Sequence, residues 1–282
     1  MQRIHAFREY LIQEEKGELT VEKYTQDARR FLCWLGNREL TKQEVLVYKS
    51  ELISRYVITS VNSKLSSVNC FLKYIGREDF CVKTVKQQRR TFLSEEKELS
   101  KEEYSRLVEA AKKKPRLCLL MQTICSTGIR VSEHRFITVE AAKNGYANVR
   151  LNGKSRIVFL PSKLCKLLLK YAKTQKIRSG SIFITSRGQP MNRSNIWAEM
   201  KKLCHTAKVS REKVFPHNLR HLFARTYYSL EKDIVRLADI LGHSSINTTR
   251  IYTMESGWVH RRQIKKCRSF WVPHNNDYVV HR

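Results

Sequence analysis

Four separated stretches of the chain carry nucleophilic and ionisable side chains in otherwise apolar surroundings. In Ser126-Thr-Gly-Ile-Arg130-Val-Ser-Glu133 an arginine follows a helix-ending glycine, so its guanidinium can project from a tight turn. Glu133 lies one helical turn onward and can orient it. Lys154 comes directly after Asn152-Gly153, a pair that favours a two-residue type I′ hairpin, which puts it at a hairpin tip. In Pro216-His217-Asn-Leu-Arg220-His221 the first histidine and the arginine are three apart and share a helical face. In Leu241-Gly-His243-Ser-Ser-Ile-Asn-Thr-Thr-Arg-Ile-Tyr252 a histidine follows a helix-closing glycine, and a tyrosine follows nine residues later.

Taken singly, each has a plain explanation. Arg130 is an ordinary surface residue, Lys154 a solubilising turn residue, His243 a helix C-terminal cap, and Tyr252 one of 12 tyrosines. Together the types complement one another for one reaction, transfer of a phosphoryl group from a DNA diester to a tyrosine. Two arginines present forked donors to the non-bridging oxygens and offset the charge that grows in the transition state. A phenol with a reference pKa of about 10 needs a nearby base and electrostatic help to attack at neutral pH. The departing 5′ oxygen needs a proton, which a lysine depressed by neighbouring cations can give. No metal or other cofactor is required, because the arginines supply the charge.

Arg130 in Thr-Gly-Ile-Arg-Val-Ser-Glu, His217-x-x-Arg220, Leu-Gly-His243 and Tyr252 resemble, in order and spacing, the signature boxes of the tyrosine recombinase (phage integrase) family. The resemblance extends over nearly the whole chain. It implies that Tyr252 forms a 3′-phosphotyrosyl link and frees a 5′-hydroxyl, and that Arg130 and Arg220 clamp the scissile phosphate. It implies that His217 acts in proton transfer around the tyrosine, that His243 hydrogen-bonds a phosphate oxygen, and that Glu133 buttresses the site. Lys154 is the implied general acid. The implied assembly is a homotetramer on two double-stranded DNA recombination sites, exchanging strands through a Holliday junction without ATP. The implied setting is a mobile element, with an accessory directionality factor as a further partner.

This sequence departs from the family pattern in places. The hairpin turn is compact, leaving Lys154 its only lysine and Arg156 the nearby basic alternative. His134 stands where a small or aliphatic residue is usual and is read as a satisfied interior histidine. After Tyr252, Glu255–Lys266 fits the family's docking helix, but Pro273 and the paired asparagines near it fit no helical pattern.

The elements that must position these residues form two regions in 282 residues. Residues 1–85 read as a four-helix bundle. Ile4, Phe7 and Leu11 share a face, Thr20 caps a second helix ended by Gly36, Thr41 with Glu44 opens a third, and Ser60 opens a fourth ahead of Gly76. By resemblance this is the core-binding, SAM-like DNA-binding domain. Residues 86–99 form a basic linker, and Lys83, Lys86, Arg89, Arg90 and, in the hairpin, Arg156 are candidate DNA contacts. Residues 100–282 form the catalytic domain, opened by a Ser100…Glu103 capping box. Strands are expected at 146–151, 156–160 and 181–185, with helices capped by Ser162, Asn192 and Ser245. The class is mainly α with a small antiparallel sheet, α+β.

Composition narrows the partners. Lys and Arg number 54 against 26 Asp and Glu, a net charge of +28, which calls for a polyanion, and nucleic acid is the default one. No stretch is apolar enough to span a membrane, the first residues lack a signal core, and the eight cysteines are scattered without a Cys-x-x-Cys pair, so a cytoplasmic setting is expected. Three different readings compete with recombination. His217 and His221 are four apart, a zinc-compatible spacing, but Asn218 stands where a metalloprotease needs glutamate. A decayed, non-catalytic DNA-binding relative would keep the basic surface without the chemistry. A type IB topoisomerase would share the tyrosine chemistry, but the small N-terminal bundle and modest length favour site-specific recombination.

Overall fold

The computed structural model describes residues 2–86, 97–151 and 154–252, arranged as two compact units, Met1–Arg89 and Arg90–Arg282. In the first unit, α1 (Gln2–Gln13), α2 (Glu18–Leu35), α3 (Lys42–Arg55) and α4 (Ile58–Tyr74) enclose Phe7, Leu11, Ala28, Phe31, Val45, Val61, Leu65 and Val68. These recur at three- and four-residue steps along their helices, so each helix buries one stripe. Thr41 caps α3 by accepting from the Glu44 amide, as its spacing predicts. Thr20 and Ser60 do not cap. Gly17 and Val57 stand at those starts, so both hydroxyl residues lie inside the first turns of their helices. Asp27, a buried carboxylate of the bundle, is satisfied by Lys23, Lys64 and Ser67.

In the second unit, Ser100 and Glu103 form the expected reciprocal cap of α5 (Lys101–Ala110). The apolar α6 (Pro115–Thr127) ends at left-handed Gly128 and leads into a 3-10 turn, Val131–Phe136. Then come α7 (Val139–Asn144) and an antiparallel hairpin, β1 (Tyr146–Leu151) with β2 (Lys154–Phe159), in the register Tyr146↔Phe159 to Leu151↔Lys154. The residues expected in its turn, Asn152 and Gly153, lie outside the described residues. Next are α8 (Ser162–Thr174), α9 (Arg193–Lys201), α10 (Cys204–Ala207), α11 (Pro216–Glu231), α12 (Ile234–Leu241), α13 (Ile246–Thr249) and a closing 3-10 turn, Arg250–Tyr252.

Three local expectations change here. Residues 181–185 make only isolated bridges, Thr138↔Ser181 and Ile184↔Pro190, because no neighbouring strand among the described residues extends the pairing. Ser162 is the first residue of α8, and Pro161, with its fixed φ, precedes it as the cap position. The helix after Ser245 is one turn long, and Tyr252 sits in the 3-10 turn beyond it. Asn192 and Ser245 do cap their helices.

Residues 97–99, at the end of the basic stretch, belong to this second core. Leu99 is buried, the Asn218 side chain donates to Lys97 O at 2.8 Å, and Arg225 donates to Leu99 O at 2.8 Å while pairing with Glu98. The rest of the linker core, including Arg89 and Arg90, lies outside the described residues, as do the segment after Tyr252 and its candidate helix Glu255–Lys266. Lys83 and Lys86 are exposed. Among the described residues no helix is long and apolar enough to cross a membrane.

Candidate active site

The site is built around the C-terminus of α12. That helix ends at Leu241 because Gly242 turns left-handed (φ +63), and three consecutive carbonyls are left there without helical partners. Each accepts from a different arginine. Arg156 Nη1 donates to Ile240 O at 2.5 Å, Arg220 Nη2 to Leu241 O at 2.7 Å, and Arg130 Nη2 to Gly242 O at 3.2 Å. Cations at a helix C-terminus are electrostatically favoured, so the same carbonyls that end the helix gather the charge.

Arg220 is the most deeply placed of the three, 1% exposed, and also donates from Nη1 to Gly128 O. Burial, and then the charge of Arg130, bring its pKa down to about 10, which leaves it cationic at neutral pH. Arg130 keeps its side chain 39% exposed and is aimed by Glu133, whose Oε1 accepts from Nη1 at 3.0 Å and whose Oε2 accepts from the Arg130 amide at 2.7 Å. Glu133, 1% exposed, takes a third donor, Arg156 Nη2, at 2.7 Å.

Tyr252, 4% exposed, comes to this charge from the far side of α13. Its ring stands 5.0 Å from the ring of His221 at 84° and 6.1 Å from that of His243 at 17°. Burial raises its pKa, and the positive charge of Arg220 and then Arg130 pulls the other way, so the resting phenol is protonated but faces cations ready to stabilise its anion. His217 lies on the solvent side, its ring 4.5 Å from that of His221. Desolvation lowers its pKa first, and Arg220, Arg193 and Arg130 lower it further, so it is a neutral proton acceptor at pH 7. His243 and His221 are both brought down to about 4, chiefly by burial and then by Arg220 for His243 and by His217 for His221.

The structure therefore draws Arg130, Glu133, His217, Arg220, His243 and Tyr252, distant in sequence, into one pocket of charge. Lys154 is placed by its backbone as the first residue of β2, opposite Leu151. Arg156, expected as a basic surface contact, is instead 13% exposed, with its guanidinium spent on protein groups. Strand alternation carried the signal for this. Arg156 is in phase with buried Val158, and an inward-facing arginine must be paired. His221, read as a hydrogen-bonded interior histidine, is packed between two rings, and its buried Nε2 has no hydrogen-bond partner among the described residues. His134 is half satisfied, with Nδ1 at Val131 O and a buried Nε2 that finds no partner among the described residues.

The model of the phage integrase family matches residues 97–257. Tyrosine recombinase XerA of Pyrococcus furiosus is 28% identical over 259 residues, covering 89% of this chain and 88% of its own. A crystal structure of XerA recombinase covers 95% of this chain and 98% of its own, with 27% identity and a TM-score of 0.52. The fold is shared with lambda integrase. A dimer bound to a core site superposes with a TM-score of 0.71 at 18% identity over 89% of this chain and 94% of that one, and a tetramer bound to a Holliday junction with 0.68 at 18% over 89% and 76%. The family match and these relatives place the chain in a class of DNA strand-transfer protein, the tyrosine recombinases. Within that class, the chain belongs to the phage integrase family.

Proposed function

We propose that this protein is a site-specific DNA recombinase of a mobile element, which cuts and rejoins DNA through a 3′-phosphotyrosyl intermediate. The observation that carries the reading is the Tyr252 ring, within the same chain, 6.1 Å from the ring of His243, whose Nε2 lies 3.0 Å from Arg220 Nη2. The Tyr252 oxygen attacks the scissile phosphorus, its proton passes to neutral His217 or to solvent beside it, and the P–O5′ bond breaks. Lys154 on the hairpin protonates the leaving 5′ oxygen. Arg130 and Arg220 turn donors to the non-bridging oxygens, Glu133 holds Arg130, and His243 bonds a phosphate oxygen. The new phosphotyrosyl bond replaces one ester by another, so the second strand's 5′-hydroxyl can reverse the step without ATP.

Four protomers on two duplexes would pass one pair of strands at a time through a Holliday junction, the state in which the lambda integrase tetramer is seen. The first unit is the core-binding DNA-binding domain, and Lys83, Lys86 and the rest of the basic linker strap the phosphate backbone. Because exchange is nearly isoenergetic, direction must be set outside the active site, which is the place for an accessory factor. The protein acts in the cytoplasm, where its DNA lies. Incubation with a nicked suicide duplex, carrying a site the protein itself selects from a random library, tests the reading. A covalent protein–DNA adduct at Tyr252 is expected. Tight, specific binding with no adduct overturns it.

A further inference from the structure

We propose that Arg156 is a positioning residue for the strand-transfer chemistry, holding the α12 terminus and Glu133 so that Arg130, Arg220 and His243 face one phosphate. The inference rests on the recombinase reading above and extends it to a residue whose end nitrogens are both taken by protein groups.

Arg156 reaches three parts of the site at once. Nη2 donates to Glu133 Oε2, Nη1 donates to Ile240 O, and the side-chain stem passes under Gly242. A Cβ at residue 242 would stand 2.5 Å from Arg156 Cδ and 2.8 Å from Nε, so the glycine is needed there for this close approach as well as for its positive φ. Nε is buried under that glycine with no hydrogen-bond partner among the described residues, the sign of an arginine held by its two end nitrogens and its shape.

The consequence for the chemistry is electrostatic and geometric. Glu133 is almost fully buried and its carboxylate faces two guanidiniums, Arg130 and Arg156. With Arg156 present, Glu133 divides its charge between them, and Arg130 keeps positive charge for the phosphate. Without it, Arg130 would hold that carboxylate alone. The backbone effect is parallel. Ile240, Leu241 and Gly242 each receive one arginine, and His243 is the next residue. Releasing Ile240 O loosens the elbow that sets Leu241 O against Arg220 and aims the His243 ring. Burial lowers the Arg156 pKa while Glu133 opposes that, so Arg156 stays charged in place.

The test uses the full chain and the library-selected duplex, with dissociation constant, salt dependence of binding and single-turnover cleavage at saturating DNA measured separately. Arg156→Met should leave the dissociation constant and the salt slope at the wild-type values while cleavage falls about 100-fold, the size expected when one aligned donor is lost. Arg156→Lys, which can keep one of the two contacts, should recover part of that loss. Gly242→Ala displaces Arg156 from the other side without removing its charge, and should lower cleavage to a similar extent at unchanged affinity. A drop of about one unit in the salt slope with normal cleavage at saturation would make Arg156 a phosphate contact and overturn the proposal. Unchanged cleavage in both Arg156 variants would overturn it too, and so would melting of the Met and Ala variants below the assay temperature, which would give Arg156 a folding role. Failure of the wild-type protein to form the adduct is a different result and strikes the recombinase reading itself.

Discussion

His243 Nε2 lies 3.0 Å from Arg220 Nη2, and because a guanidinium can only donate, that nitrogen is the acceptor. The ring is neutral at physiological pH, so its proton is on Nδ1, where it is donated to Thr249 Oγ1 at 2.8 Å. A histidine in this tautomer has nothing to give a phosphate oxygen from Nε2. To donate there it must exchange tautomer or gain a proton as Arg220 turns its donors to the incoming phosphate. Thr249, fully buried in α13, thus couples the histidine to the turn that presents Tyr252. Thr249→Val keeps the shape and removes the acceptor. It should slow cleavage at saturating DNA while the dissociation constant stays within about twofold of wild type.

Tyr252→Phe removes the hydroxyl proposed as the nucleophile and keeps the ring that His221 and His243 contact. Covalent trapping on the suicide duplex should vanish, with binding and the melting temperature close to wild type. An adduct surviving in this variant would place the nucleophile elsewhere.

Arg220 binds Gly128 O, Leu241 O and His243 as well as facing the site. Removing one preorganised donor costs about 2.7–4 kcal/mol of transition-state stabilisation, so Arg220→Lys should slow cleavage by about two to three orders of magnitude. Arg220→Ala should in addition lose stability, since two buried carbonyls are left unpaired. Rapid-quench cleavage and chemical denaturation separate the two effects.

Neutral His221 and His243 make stability depend on pH in a definite direction. Their folded pKa values, about 4, lie below the ordinary 6.5, so the unfolded chain takes up protons first as pH falls. Their contribution is complete above about pH 6.5 and is lost on the way down to about 4. The denaturation midpoint should fall over that window, and His221→Phe, which cannot be protonated, should fall less. Equal slopes for the two proteins would show that His221 does not report this burial.

DNA affinity should be steeply salt-dependent for a chain of net charge +28. With six to ten phosphate contacts, about 10³–10⁵ in affinity should disappear between about 50 and 200 mM salt. A flat response in a filter-binding or fluorescence titration would argue against a phosphate-backbone interface.

Much of this protein was decided locally and can be read without coordinates. Helical stripes such as Phe7–Leu11 and the glycines at 128 and 242 follow from residue type and short spacing, as do the Thr41, Ser100, Asn192 and Ser245 caps, because those interactions close within a turn. The resemblance of the ordered boxes to a known family points to the same histidines, arginine and tyrosine whose side chains meet in the fold. The starts of α2, α4 and α8 were misplaced because backbone-only caps leave no polar signature. What depended on tertiary structure was the use of charges far apart in sequence. Arg156 resembles a surface contact until Glu133, 23 residues away, and Ile240, 84 away, close around it, and His221 looks satisfied until two other rings cover it. Local chemistry fixes which groups can donate or accept. Only the folded chain decides which partner each one finds, since burial removes the water that would otherwise satisfy them all equally.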